Sequence, residues 1–96
     1  MTPPFAIRGT PRFERMTQKL LKHHPELRAL LSRVREILSC DPYNRTFAHP
    51  IKKLAGAAEG EGQYRLRLGR WRFRYDVRGG EVVLPYCGLR REETYR

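Results

Sequence analysis

The chain has 96 residues, of which 40% are hydrophobic and 10% aromatic, and it carries 20 Lys and Arg against 10 Asp and Glu, for a net charge of +10. This length predicts one domain with a single modest core, and the apolar content excludes a disordered basic tail. The charge favours a polyanionic partner, which is nucleic acid, an acidic protein or both.

The sequence predicts neither a membrane segment nor a disulfide framework. Its longest apolar run is only a few residues, and its first residues lack the basic and apolar regions of a signal peptide. Cys40 and Cys87 are widely separated, and neither belongs to a CxxC pair. We therefore expect a cytoplasmic protein that has no membrane partner.

The N-terminal half predicts a short edge strand, Phe5–Arg8, followed by two helices. Thr10 and Pro11 indicate the first helix, because threonine is a favourable N-cap and proline loses no hydrogen bond at the first helical position. That helix should end before Pro25. A second helix with a wide apolar stripe should then run from Pro25 to about Cys40. The short turn between them predicts an antiparallel helical hairpin.

Residues 43–62 are less regular. Residues 51–54 fit either one helical turn or a short extended piece, and Ala55–Gly62 is a glycine-rich, acidic stretch that predicts a surface loop. Near the end of the chain, Glu81–Gly88 predicts a strand that is apolar on both faces and therefore central in its sheet. Pro85 within it argues against a central place or marks a bulge.

Between these segments, residues 63–77 predict a β-hairpin in which apolar residues alternate with arginines. A two-residue turn at Gly69 and Arg70 suits a type II′ geometry. It would place Arg65 opposite Arg74 and Arg67 opposite Arg72. Like charges paired in this way are destabilising, by about 1 kcal/mol per pair even in water. Four arginines on one sheet face reduce the stability of the folded chain, so the pattern favours a polyanion-binding site. The alternative is a solvated face whose charges keep the chain soluble.

The element order β-α-α-β-β-β predicts an α+β domain that covers residues 1–96. We expect an antiparallel sheet with the helical hairpin packed on one face. The apolar side of the arginine hairpin, including Trp71, would then bury against the helices, and its arginine side would stay open. His23 and His24 fall in the last turn of the first helix, where cations complement the helix dipole, so we interpret them as capping residues.

Three segments carry a resemblance to a known family. They are Ile51-Lys-Lys-Leu54-x-Gly56, the hairpin Gln63–Tyr75 and the ending Gly88-Leu-Arg-Arg-Glu-Glu-Thr-Tyr95. Together with the element order they resemble the RelE/ParE superfamily, the toxins of bacterial toxin–antitoxin pairs. RelE-type members are ribosome-dependent endoribonucleases that cut mRNA. The resemblance implies attack of a ribose 2′-OH on the adjacent phosphate, which leaves a 2′,3′-cyclic phosphate, with no metal and no cofactor.

The resemblance also implies a site. The family's catalytic positions fall on Arg65, Arg67, Arg72, Arg90 and Tyr95. We expect further RNA contacts at Lys52, Lys53, Arg74 and Arg91. Guanidinium groups suit phosphate oxygens, because they bind them bidentately. Tyr95 would stack on a base or donate a proton.

The general base is the least defined role. The position of Arg65 holds lysine in the best-known RelE members, whereas arginine stays protonated and is a poor base. His49, Glu92 and Glu93 are the other candidates in the chain. Otherwise the ribosome assists, or the activity is weak.

The partners implied by the resemblance are mRNA on the ribosome and a cognate antitoxin, with which the chain would form a hetero-oligomer. An acidic, initially disordered antitoxin segment would suit an open arginine face. Two alternatives stay open. One is a ParE-like inhibitor of DNA gyrase without nuclease activity, and the other is a plain basic RNA-binding protein.

Overall fold

The structure, a computed structural model, describes residues 4–89. Its elements are, in chain order, β1 (Ala6–Gly9), α1 (Pro11–His23), α2 (Leu27–Cys40), β2 (Ile51–Lys53), β3 (Tyr64–Leu68), β4 (Trp71–Arg78) and β5 (Glu81–Leu89). The predicted α+β class is confirmed. The predicted site residues Arg90, Arg91 and Tyr95, and the candidate bases Glu92 and Glu93, lie outside the described residues.

The predicted start of α1 is confirmed. Thr10 is extended, with φ −71° and ψ 162°, and its side chain accepts a hydrogen bond from the Phe13 N–H at 3.1 Å. This bond satisfies one of the backbone donors that a helix start leaves open. α2 begins at Leu27, two residues beyond the predicted Pro25, which lies in the short connection between the helices. Neither helix in residues 4–89 is long and apolar enough to cross a membrane.

The five strands form one sheet in the order β1-β5-β4-β3-β2. The first strand lies at an edge, as predicted, and the last strand of the chain is internal, between β1 and β4. Residues 51–53 are extended and pair with β3, so the extended alternative for this segment is the observed one. The two-residue turn at Gly69 and Arg70 is also confirmed, because Leu68 pairs with Trp71 across it.

The prediction of a wholly antiparallel sheet is wrong. β1 runs parallel to β5, with Ile7 beside Val82 and Gly9 beside Leu84, so the sheet is mixed. Alternation of apolar and polar residues is the same for either strand direction and therefore does not reveal it. The direction is set by the path of the chain into α1, where the Thr10 N–H donates to the Leu84 carbonyl at 3.0 Å. A parallel pair also needs a long connection, which the intervening elements provide.

Pro85 marks a β-bulge in β5. The register with β4 passes from Arg74 opposite Tyr86 to Asp76 opposite Val83, so β5 holds one more residue than β4 over this stretch. Proline has no N–H to donate to the sheet and is tolerated where a bulge interrupts the pairing. β5 is therefore both internal in the sheet and bulged at Pro85.

The core lies between the helices and one face of the sheet. Its buried residues are Phe13 from α1, Leu27, Val34, Ile37 and Leu38 from α2, and Leu66, Trp71, Phe73, Tyr75, Val82, Leu84 and Cys87 from the sheet. Trp71, predicted to pack on the helices, is 4% exposed and meets His24 edge to face, with ring centres 5.3 Å apart. The Tyr75 hydroxyl donates to the Pro42 carbonyl at 2.6 Å, and burial raises the pKa of Tyr75 far above its usual value.

Candidate nucleic-acid interface

The sheet face opposite the helices carries the arginines of the hairpin. The observed pairs are Arg65 with Arg74 and Arg67 with Arg72, as the turn at residues 69 and 70 predicted. Lys52 of β2 lies opposite Arg65 and extends the same row. We call these five residues the arginine face: Lys52, Arg65, Arg67, Arg72 and Arg74. Five positive charges therefore share three neighbouring strands.

The side chains that carry these charges leave the backbone close together. Side chains directly opposite each other in an antiparallel pair lie roughly 5 Å apart at Cβ, well within the range of mutual repulsion. The Arg65 Nε is fully shielded from solvent and has no hydrogen-bond acceptor among residues 4–89. Burying a charged donor in this way costs free energy. An anion bound by the outer N–H groups of Arg65 would offset both this cost and the repulsion.

Arg74 also has a structural role that the sequence did not reveal. Its Nε and one terminal nitrogen donate to the Gly62 carbonyl at 3.1 and 2.8 Å. Gly62 has φ +90°, and a Cβ there would collide with the Arg74 side chain. Arg74 therefore anchors the loop before β3 with two of its N–H groups, and only the remaining N–H groups are available for RNA.

Asp76 completes this anchor. It is 3% exposed, and its carboxylate accepts hydrogen bonds from the N–H groups of Gly60, Gly62 and Gln63 at 3.0 to 3.1 Å. Bonds from backbone N–H groups to a carboxylate are among the stronger ones in proteins. The signal for this role in the sequence is a lone acidic residue inside an arginine-rich strand, and Asp76 was not among the predicted functional residues.

Lys53 does not join the arginine face. It lies opposite Tyr64, on the helix-covered side of the sheet, and its Nζ is 5.9 Å from the centre of the Tyr64 ring. This distance is typical of a cation–π contact. Because successive residues of a strand point to opposite faces, the sheet separates the predicted RNA contacts Lys52 and Lys53.

His49, the candidate base within the described residues, also lies away from the arginine face. It borders a surface depression formed with α2 residues, among them Arg33 and Glu36. Its backbone exchanges two hydrogen bonds with the Asn44 side chain, and its Nε2 is 3.9 Å from Asp41 Oδ2. A hydrogen bond from the Thr46 hydroxyl is the main cause that lowers the pKa of Asp41. The histidine thus belongs to an ordered loop on the helical side.

The cysteines offer no reactive thiolate on this face. Cys87 points into the core, and burial raises the pKa of its thiol to about 12. The thiol, not the nucleophilic thiolate, is therefore the form present at neutral pH. Cys40 is exposed at the end of α2 and lines the same depression as His49.

Tyr86 and Gly88 of β5 lie on the arginine face, and neither was predicted to belong to the site. Tyr86 is directly opposite Arg74, and Gly88 is directly opposite Arg72. A glycine here leaves space above the strand, and the phenol ring of Tyr86 occupies it. The interface consequently contains an aromatic ring among its cations.

We expect Arg67→Gln to increase the free energy of unfolding at low ionic strength, by up to about 1 kcal/mol, because it removes one of two facing like charges. Arg67 is the exposed member of its pair, so little packing is lost. Urea unfolding at low and at high salt measures the effect. The gain should shrink at high salt, where the repulsion is screened. A variant less stable than the wild type in low salt would contradict the repulsion argument.

No protein-family model, no curated protein and no solved structure matches the chain.

Proposed function

We propose that the chain is a RelE-type toxin of a type II toxin–antitoxin system, a ribosome-dependent endoribonuclease that cleaves mRNA. The observation that carries this proposal is the pairing of four arginines, two by two, on the sheet face opposite the helices. Like charges that face each other across a strand pair repel, and a phosphodiester backbone would be attracted to them. The family resemblance supplies the reaction, and the geometry supports the substrate class.

The proposed reaction is an internal transfer at phosphorus. The ribose 2′-oxygen forms a bond to the adjacent phosphorus, and the bond from phosphorus to the 5′-oxygen of the next nucleotide breaks. The 2′-hydroxyl loses its proton to a base, and the leaving 5′-oxygen gains one. The products are a 2′,3′-cyclic phosphate and a 5′-hydroxyl, and no metal or cofactor takes part.

The facing pair Arg67 and Arg72 is suited to the phosphorane. Planar guanidinium groups bind its oxygens bidentately and offset the charge that develops there. Arg65 is suited to hold the phosphate as a fixed positive charge, since arginine does not give up its proton. His49 lies on the helical side, so we assign proton acceptance to Glu92, Glu93 or a ribosomal group. Arg90 and Tyr95 keep the roles that the resemblance implies.

The arginine face also supports the proposed antitoxin partner. Five cations on three strands would attract the acidic segment of a cognate antitoxin, which would cover them in a hetero-oligomer and block access to mRNA. We place this complex in the cytoplasm, where translating ribosomes supply the substrate.

Primer extension on mRNA after expression of the chain tests the proposal. We expect breaks within translated regions that end in a 2′,3′-cyclic phosphate, and none in the same purified mRNA without ribosomes. Intact translated mRNA would overturn the nuclease. Growth arrest and blocked DNA supercoiling with intact mRNA would instead support the gyrase inhibitor. RNA binding with steep salt dependence, but without growth arrest, would support the plain RNA-binding protein.

A further inference from the structure

Tyr86 reaches the arginine face because of the bulge at Pro85. Val82 and Leu84 are buried on the helical side, and strict alternation would place residue 86 on that side as well. The extra residue in β5 reverses the alternation, so Cys87 points into the core and Tyr86 points outward, opposite Arg74. The bulge thus directs a large aromatic side chain to the cationic face.

The side chain of Tyr86 extends along β5 and over Gly88. A Cβ built at Gly88 would collide with the phenol oxygen and would lie 2.7 Å from Cζ and 2.9 Å from Cε2 of Tyr86. The outer half of the ring therefore occupies the space where any other residue 88 would have its side chain. Since Gly88 is opposite Arg72, this places the ring beside the proposed phosphate-binding pair.

Space remains next to the ring. β1 ends opposite Leu84, so β5 has no strand on that side from Pro85 onward among residues 4–89. A cleft of about 620 Å³ lies there between β5 and α1. Tyr86 borders it on the β5 side, and Lys19, which carries a positive charge, borders it on the α1 side. Clefts of this size accommodate small organic groups. The ring of Tyr86 suits a planar base, and the amino group of Lys19 suits a flanking phosphate.

We propose that Tyr86 is a stacking platform for a base of single-stranded RNA, next to the phosphate held by the arginine face. This inference rests on the proposal that the face binds RNA. An aromatic ring on a cationic sheet face is an arrangement that recognises unpaired bases, because every base has a π-face to stack on it. The bulge turns Cys87 into the core and Tyr86 outward, and Gly88 leaves the space that the ring occupies.

Binding of a short oligoadenylate and of its abasic counterpart of equal length tests the platform, with fluorescence anisotropy as the measurement. We expect Tyr86→Ala to weaken oligoadenylate binding about tenfold, within the range measured for base stacking, and to leave abasic binding unchanged. Tyr86→Phe should bind both like the wild type. Arg72→Ala should weaken both by the same factor, because both carry the same phosphates.

Two further variants separate stacking from packing. Tyr86→Leu keeps an apolar cover over β5 but lacks a π-face, so we expect the same selective loss as for Tyr86→Ala. Gly88→Ala should displace the ring and produce a smaller selective loss. Equal weakening of both oligomers by Tyr86→Leu, or no weakening, would overturn the platform. If the platform result holds and mRNA is not cleaved, the nuclease proposal alone fails. If mRNA is cleaved and the selective loss is absent, the platform alone fails.

Discussion

Arg72→Ala should lower the rate of mRNA cleavage on translating ribosomes roughly 100- to 1,000-fold, the range typical for removal of one group that stabilises developing charge. Arg72 faces Arg67 across the strand pair, so the two guanidinium groups can bind the same phosphate. The remaining arginine cannot supply the lost hydrogen bonds in the same geometry. Primer extension with purified ribosomes and a time course of cleavage measures the rate.

Arg70→Ala is the matched control for this variant. Arg70 lies in the turn of the same hairpin and is exposed, and it borders a surface depression with α2 residues rather than the arginine face. Its removal changes the net charge by the same amount. We expect cleavage within about twofold of the wild-type rate, because an exposed charge away from the phosphate contributes little. Equal losses for the two variants would mean that net charge, and not the facing pair, drives the reaction.

Asp76→Asn should reduce the free energy of unfolding by about 3 kcal/mol, because three backbone N–H groups lose a charged acceptor in a nearly dry site. The amide also turns an NH₂ donor toward these donors. For a domain of this length the loss corresponds to a fall in Tm of more than about 10 °C. Urea unfolding and thermal melts monitored by circular dichroism measure it.

Glu59→Gln provides the comparison in the same loop. Glu59 pairs with Arg78 at 2.6 Å, and both side chains are more than half exposed. The hydrogen bond from Arg78 lowers the pKa of Glu59, but water and salt screen an exposed pair of this kind. We expect a melting curve that overlaps that of the wild type. If Asp76→Asn were no more harmful than Glu59→Gln, the buried carboxylate would not hold the loop.

Local chemistry alone predicted several features correctly. Thr10 and Pro11 indicated the start of α1, and Gly69 indicated the turn that pairs Arg67 with Arg72. These features depend on capping, backbone conformation and two-residue alternation, each of which is decided by neighbours in sequence. The arginine face could therefore be located before its structure was known. Its proposed reaction came from the family resemblance, and Arg90, Arg91 and Tyr95 lie outside the described residues.

Other features depended on contacts between distant residues. The parallel direction of β1, the anchoring of the loop by Asp76 and the position of Lys53 on the covered face all arise from strand pairing across the sheet. Tyr86 is the clearest case. A single extra residue at Pro85 reverses which side chains of β5 face outward, and alternation does not reveal where such an extra residue falls. The sequence by itself thus determined that the chain has a cationic hairpin. Only the tertiary structure decided which residues of the other strands share the face of its arginines, because strand register is fixed by packing and hydrogen bonds between segments far apart in the chain.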